Sequence, residues 1–169
     1  MLSAFRLSVV MAFAGLLFVS AGYTKTDYTF HTLYVYNFTK YIEWPAAPKE
    51  LVIGVSGGNP EIVEAFEKMA ILKTTSERKY TIKPVMSPAD ADKCQLLFLP
   101  GPESSKLPLF ASRSIPNCIL VTEGDGLLKK GGMINFLLVD RKLRFELDQP
   151  ALEKAGLRVS AQLVGMAVQ

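Results

Sequence analysis

Four short runs that are apolar at nearly every position constrain this chain more than anything else in it. They read LVIGV (51–55), CQLLFLP (94–100), CILVTE (118–123) and GMINFLLVD (132–140). A strand of this kind cannot show one face to water, so each is expected inside a sheet covered on both sides. Gly, Pro and charged clusters close off each run, which keeps them at strand length. A fifth run, YTIKPV (80–85), carries Pro84, whose missing N–H fits an edge strand or a strand end. Helical patterns lie between the runs. In SGGNPE, Asn59 is placed to cap a helix with Pro60 at its first position and Glu61 near its positive end, and the pattern runs to about Ala70. SPADADK (87–93) reads as a short helix or turn. Strand and helix in alternation predict an α/β fold with a mostly parallel central sheet flanked by helices.

The C-terminal third departs from that alternation. KLRFELD (142–148) sets Leu143, Phe145 and Leu147 on one face and Arg144, Glu146 and Asp148 on the other. With Arg141 and Lys142 as a tight turn, it folds back on 132–140 as an antiparallel hairpin. Pro150 opens a short helix, Gly156 breaks it, and Ser160 is placed to cap a last one. At the other end, residues 28–41 carry Phe30, Leu33, Tyr34, Phe38 and Tyr41 at helical spacing. That aromatic face serves either as core or as a binding surface. Pro45 disfavours helix at Trp44 and ends the segment.

Residues 1–21 stand outside the fold. Arg6 precedes an uncharged apolar run over 7–19, and small residues follow up to Ala21. This is the pattern of a secretory signal peptide, with cleavage near Ala21. Thirteen apolar residues are too few for a membrane span, which needs about 17–25. The domain is then 22–169, in an exported protein. Formal net charge is +3, falling to +2 once Arg6 is removed. With the basic residues scattered, that excludes a nucleic-acid binder by electrostatics. In an exported chain, the two cysteines Cys94 and Cys118 read as a disulfide. Each begins a strand, so in a parallel sheet they sit at the same end.

Candidate chemistry is sparse. The loop GVSGGNPE lies between strand and helix, where α/β proteins bind phosphates, yet it lacks the lysine and glycine spacing of the known phosphate loops. His31 is the single histidine, and neither a G-x-S-x-G elbow nor a zinc-ligand set accompanies it. Glu123 and Asp125, in VTEGDG, follow a strand and offer paired carboxylates for a cation or for acid–base work. The alternative is a solvated glycine-rich turn. No cofactor, metal site or catalytic residue is expected, and the chain reads as a non-enzyme.

The segments YNFTKYIEWP, IGVSGG, CQLLFLP, LVTEGDG, GGMINFLLVDRKLRFELD and AGLRVSAQL occur in this order. Together they resemble the YfiR-like family of periplasmic proteins over essentially the whole chain after the leader. The resemblance implies a regulator. Its implied partner is the periplasmic domain of an inner-membrane diguanylate cyclase, whose cyclic-di-GMP synthesis it would repress, or of a histidine kinase. It further implies sequestration by an outer-membrane lipoprotein, a homodimer, and redox control through disulfides. This chain departs from the family in Gln95, where a histidine is common, and in Val164 and Gly165, where leucines are usual. It has cysteines for one bridge, not two. Tyr36, Tyr41 and Trp44 are the candidate anchors for a partner or ligand. A periplasmic small-ligand sensor, with a pocket from Tyr34, Phe38, Tyr41 and Trp44, is the competing expectation.

Overall fold

The computed structural model describes residues 26–168. The leader over 1–21, with its cleavage at Ala21, lies outside the described residues. In chain order the elements are α1 (Thr29–Tyr41), β1 (Ile42–Glu43), β2 (Glu50–Ser56), α2 (Pro60–Lys73), β3 (Lys79–Val85), β4 (Leu96–Leu99), α3 (Leu107–Ala111), β5 (Ile119–Glu123), β6 (Ile134–Val139), β7 (Lys142–Leu147), α4 (Gln149–Lys154), β8 (Arg158–Val159) and α5 (Ala161–Met166). Short 3-10 turns cover Pro88–Lys93, Gly101–Lys106 and Leu128–Lys130.

Six strands form one sheet in the order β3-β2-β4-β5-β6-β7, and β1 pairs with β8 in a separate two-stranded ribbon. The first five strands of the sheet are parallel and β7 is antiparallel. The parallel part reads 2-1-3-4-5 when its own strands are numbered, the order of a flavodoxin-like doubly wound sheet. The fold is the expected single α/β domain ending in a hairpin. Pro84 does lie on an edge strand, β3.

Local chemistry explains most boundaries. Asn59 Oδ1 accepts from the Glu61 N–H at 3.0 Å and starts α2. Asp148 and Ser160 cap α4 and α5 in the same way. The hairpin turn corrects the expected one: its two residues are Asp140 and Arg141, with φ of 50° and 61°, and Lys142 already pairs with Val139. Two successive left-handed residues match the right-handed twist of the flanking strands. The outer half of the hairpin also corrects the expectation of full burial. Beyond Phe136, β6 has only β7 as a neighbour, so Leu138 stays 73% exposed.

Strand alternation sorts the core into two layers. Leu96, Phe98, Ile119, Val121, Ile134 and Phe136 point to one face, beneath α1 and α2. Leu97, Leu99, Cys118 and Leu120 point to the other, covered by α3 and the 3-10 turns. Helix α1 buries a different stripe from the one its aromatics suggest: His31, Thr32, Val35, Phe38 and Thr39. Phe30, at 62% exposure, and Leu33 face out. The threonines are tolerated inside because each hydroxyl bonds the helix's own backbone, Thr32 to Thr29 O and Thr39 to Tyr36 O.

Candidate functional site

Of the three candidate anchors, two share one cleft. It runs between the C-terminal ends of α1 and α2 and the β1–β8 ribbon, and Tyr36, Lys40, Trp44, Lys73, Arg78 and Arg158 line it. The half-buried Tyr36 ring lies under two cations, Lys73 Nζ at 4.9 Å and Lys40 Nζ at 5.6 Å from its centroid. It meets Tyr80 edge to face at 5.9 Å. Both contacts use the ring quadrupole, whose negative face attracts cations and whose positive edge meets other ring faces. Arg78 donates to Thr39 O at 3.1 Å, and Thr39 Oγ1 lies 3.1 Å from Tyr80 Oη, so the floor is braced by hydrogen bonds. Trp44 is 6% exposed and its indole N–H donates to Asn117 O at 2.8 Å. It contributes to the cleft wall from within the core. Tyr41 lies outside the lining, with its hydroxyl accepting from Gln162 Nε2 at 3.2 Å. Glu43 pairs with Arg158 at 3.1 Å on the exposed rim, where an ion pair contributes little. Cations outnumber acids along the cleft, which suits an acidic partner surface. The pocket expected from Tyr34, Phe38, Tyr41 and Trp44 does not form: Phe38 is fully buried, and Tyr34 packs on Phe136 and Phe145.

The carboxyl edge of the sheet carries the remaining candidate chemistry. Strand order reverses between β2 and β4, and ligands of such sheets bind in that crevice. Here the chain fills the crevice itself. Ser56 Oγ donates to Glu103 Oε2 at 3.3 Å, and a Cβ at Gly57 would collide with the Glu103 carboxyl group. Lys106 Nζ holds the same oxygen at 2.6 Å. The spot that a phosphate would take at the start of α2 therefore faces a carboxylate.

Next along the edge, the structure brings His31 and Glu123 together across 92 positions of sequence. His31 Nε2 lies 3.1 Å from Glu123 Oε1; Tyr28 Oη and the Gly101 N–H reach Oε2 at 3.1 and 2.9 Å. Burial works to raise the Glu123 carboxyl. The hydrogen bonds from His31, Gly101 and Tyr28 outweigh it and hold the group below the usual carboxylate range. An ionised Glu123 can only accept, so Nε2 is the donor of this pair. Tyr28 is pushed far up, first by burial and then by the Glu123 charge, so it remains a donor. His31 is 3% exposed between Tyr28, Phe98 and Phe136, and its Nδ1 has no partner among the described residues. A carboxylate that accepts three hydrogen bonds and a walled-in imidazole make a clasp joining the start of α1, the turn after β4 and the end of β5. Asp125 is exposed on the turn beyond. Among the described residues no group of three His, Cys, Asp or Glu side chains is placed to hold a metal.

Cys94 and Cys118 are free thiols, both buried in the second core layer. Burial, and secondarily the Cys94 thiol, push Cys118 up; burial also raises Cys94. Neither is therefore a reactive thiolate at neutral pH. They precede β4 and β5, which pair in parallel with Leu96 opposite Ile119.

The chain is thus a doubly wound α/β domain whose switch-point crevice is occupied by its own Glu103 and whose cleft beside α1 is lined with aromatics and cations. The sequence profile of the YfiR/HmsC-like family matches residues 28–168. The chain belongs to this family, whose members are in general periplasmic regulators of cyclic-di-GMP signalling. In structure it is similar to a conserved domain protein of Vibrio cholerae O1 biovar El Tor solved by crystallography. TM-score is 0.54 and identity 9%, over 85% of this chain and 60% of the other. That likeness concerns the fold, and this chain spans less than two thirds of that one. No curated protein matches the chain. Among the described residues no helix is long and apolar enough to cross a membrane.

Proposed function

We propose that this chain is a periplasmic regulatory binding protein that holds an inner-membrane diguanylate cyclase inactive by binding the cyclase's periplasmic domain. Family membership over 28–168 carries this reading. The cationic cleft around Tyr36 supports it as a docking surface, with Tyr41 on the adjoining shoulder and Trp44 as the buried strut beneath. In this reading the protein turns over no substrate and holds no cofactor. Its leader is removed near Ala21, and its oxidised form carries a Cys94–Cys118 bridge. Repression needs only a preference for the partner's inactive state. About 5.5 kcal/mol of differential affinity moves a two-state equilibrium from 1:99 to 99:1. A standard-sized interface with a few aromatic anchors supplies that. Release by an outer-membrane lipoprotein and a homodimeric state belong to the same reading.

Deleting the gene should raise cellular cyclic-di-GMP, and the tagged protein should capture a membrane cyclase through its periplasmic domain. Tyr36→Ala should weaken that capture by about 2 kcal/mol. Unchanged cyclic-di-GMP together with capture of a histidine kinase would transfer the same mechanism to a kinase. Capture of neither, with a ligand bound in the Tyr36 cleft, would put a small-ligand sensor in its place.

A further inference from the structure

The second core layer contains a hole. Beneath β4 and β5, between α3 and the end of α4, lies a cavity of about 430 Å³, floored by Leu97, Cys118 and Leu120 and walled by Phe110 and Met133. Ligand sites of proteins span about 300–1,000 Å³, mostly apolar with a few polar groups fixing orientation. The cavity exists because its rim is built of small residues: Ala111, Gly131, Ala151, Ala155 and Gly156. Gly131, with φ of 108°, is crowded enough that a Cβ there would stand 2.7 Å from that of Ala111. Any larger residue at these places would fill the space that four-residue β4 and five-residue α3 leave uncovered. Charge is as one-sided as size. Lys154 is the sole charged residue of the lining, exposed at the C-terminal end of α4, and no acid faces it from the cavity wall. Ser114 and Asn117 are the polar uncharged residues of the lining.

We infer that this cavity binds a small amphipathic anion, an aliphatic or aromatic monocarboxylate, with its apolar body on Leu97, Leu120 and Phe110 and its carboxylate at Lys154. The site is separate from the Tyr36 cleft and stands whatever partner that cleft serves. One strut joins the two. The indole N–H of Trp44, which also lines the cleft, bonds the carbonyl of Asn117 in the cavity wall at 2.8 Å. Trp44 is the single tryptophan of the chain, so its emission reports on the cavity through that hydrogen bond.

The test titrates the full-length mature protein with octanoate, followed by calorimetry and by Trp44 fluorescence. One-to-one binding is expected, strengthening about three- to fourfold for each methylene added from hexanoate to octanoate. Lys154→Gln should weaken octanoate about tenfold and leave 1-octanol unchanged, because only the anion uses the ammonium. Ala151→Phe, checked for fold by circular dichroism, should lose both. Equal octanoate binding in Ala151→Phe, or equal affinity of Lys154→Gln for octanoate, would overturn the assignment. So would the absence of octanoate binding up to millimolar concentration in the parent protein. A concentration-dependent dimer abolished by Ala151→Phe, without octanoate binding, would give the cavity to a second copy of the chain and equally overturn it.

Discussion

The two faces of the central sheet are built from the same strands, yet they are packed in opposite ways. On the first face, two long helices press a continuous set of rings onto the sheet. Phe38 stacks on Phe136 at 5.7 Å, Phe66 tilts against Phe98 at 5.3 Å, and Phe38 meets Phe145 edge-on at 5.0 Å. On the second face, α3 has five residues, no phenylalanine faces the sheet except Phe110, and the cover is broken by a cavity. Among the described residues the first layer holds twenty-three buried apolar side chains and the second ten. Alternation along β4 shows the contrast in four residues: Leu96 and Phe98 go one way, Leu97 and Leu99 the other. A sheet whose stability is concentrated on one face leaves the other free to stay imperfectly filled.

Substitutions at matched depth break or sharpen this contrast. Phe136→Ala should cost about 4 kcal/mol in urea unfolding, because it opens a dry void among rings that are held from several elements. A Cys94–Cys118 bridge, on the thin face, should stabilise by about 3 kcal/mol through a loop whose ends are 24 positions apart, 118 − 94. The comparison is unfolding with and without reductant; two labelled thiols in unreduced, denatured protein would exclude the bridge. Leu120→Ala should cost less, about 2 kcal/mol, since the space it vacates joins a cavity already open to solvent and leaves no dry void. If Leu120→Ala proves as costly as Phe136→Ala, the second face is packed as tightly as the first.

The smallest effect belongs to the clasp at the sheet's carboxyl edge. Glu123 has a folded pKa below its unfolded one, so its contribution is complete above the unfolded value, near 4.5, and disappears as pH falls through the folded value. Glu123→Gln should therefore lower stability by about 1 kcal/mol at neutral pH and flatten the loss on acidification. Thermal melts from pH 7 to 3 measure both. An unaltered acid slope in Glu123→Gln would mean that other carboxylates govern it.

The strands were legible because an all-apolar run has one physical outcome in a chain of this size, and the caps at Asn59 and Ser160 because a side-chain oxygen at a helix start has one use. What escaped was set by distant partners. The buried face of α1 could not be read from hydrophobicity, because Thr32 and Thr39 become apolar only once their hydroxyls bond their own helix. The Glu123 clasp joins His31 to a residue 92 positions away, and periodicity carries no such information. The β1–β8 ribbon is two residues wide on each side, too short to leave any pattern. Of the anchors, Tyr36 was placed where a cleft forms. Trp44 was aromatic for the sake of the core, and the cavity behind it escaped because a gap is made by small residues, which look unremarked in sequence.

That ribbon fixes the order in which the molecule can be completed. Ile42 pairs with Val159, and the Ser160 N–H donates to Tyr41 O at 2.9 Å, so the C-terminal end of the first helix is latched by residues more than a hundred positions later. Contacts this distant in sequence close late, after the entropy of a long loop has been overcome. A chain still being synthesised therefore lacks this latch until Val159 and Ser160 have been made.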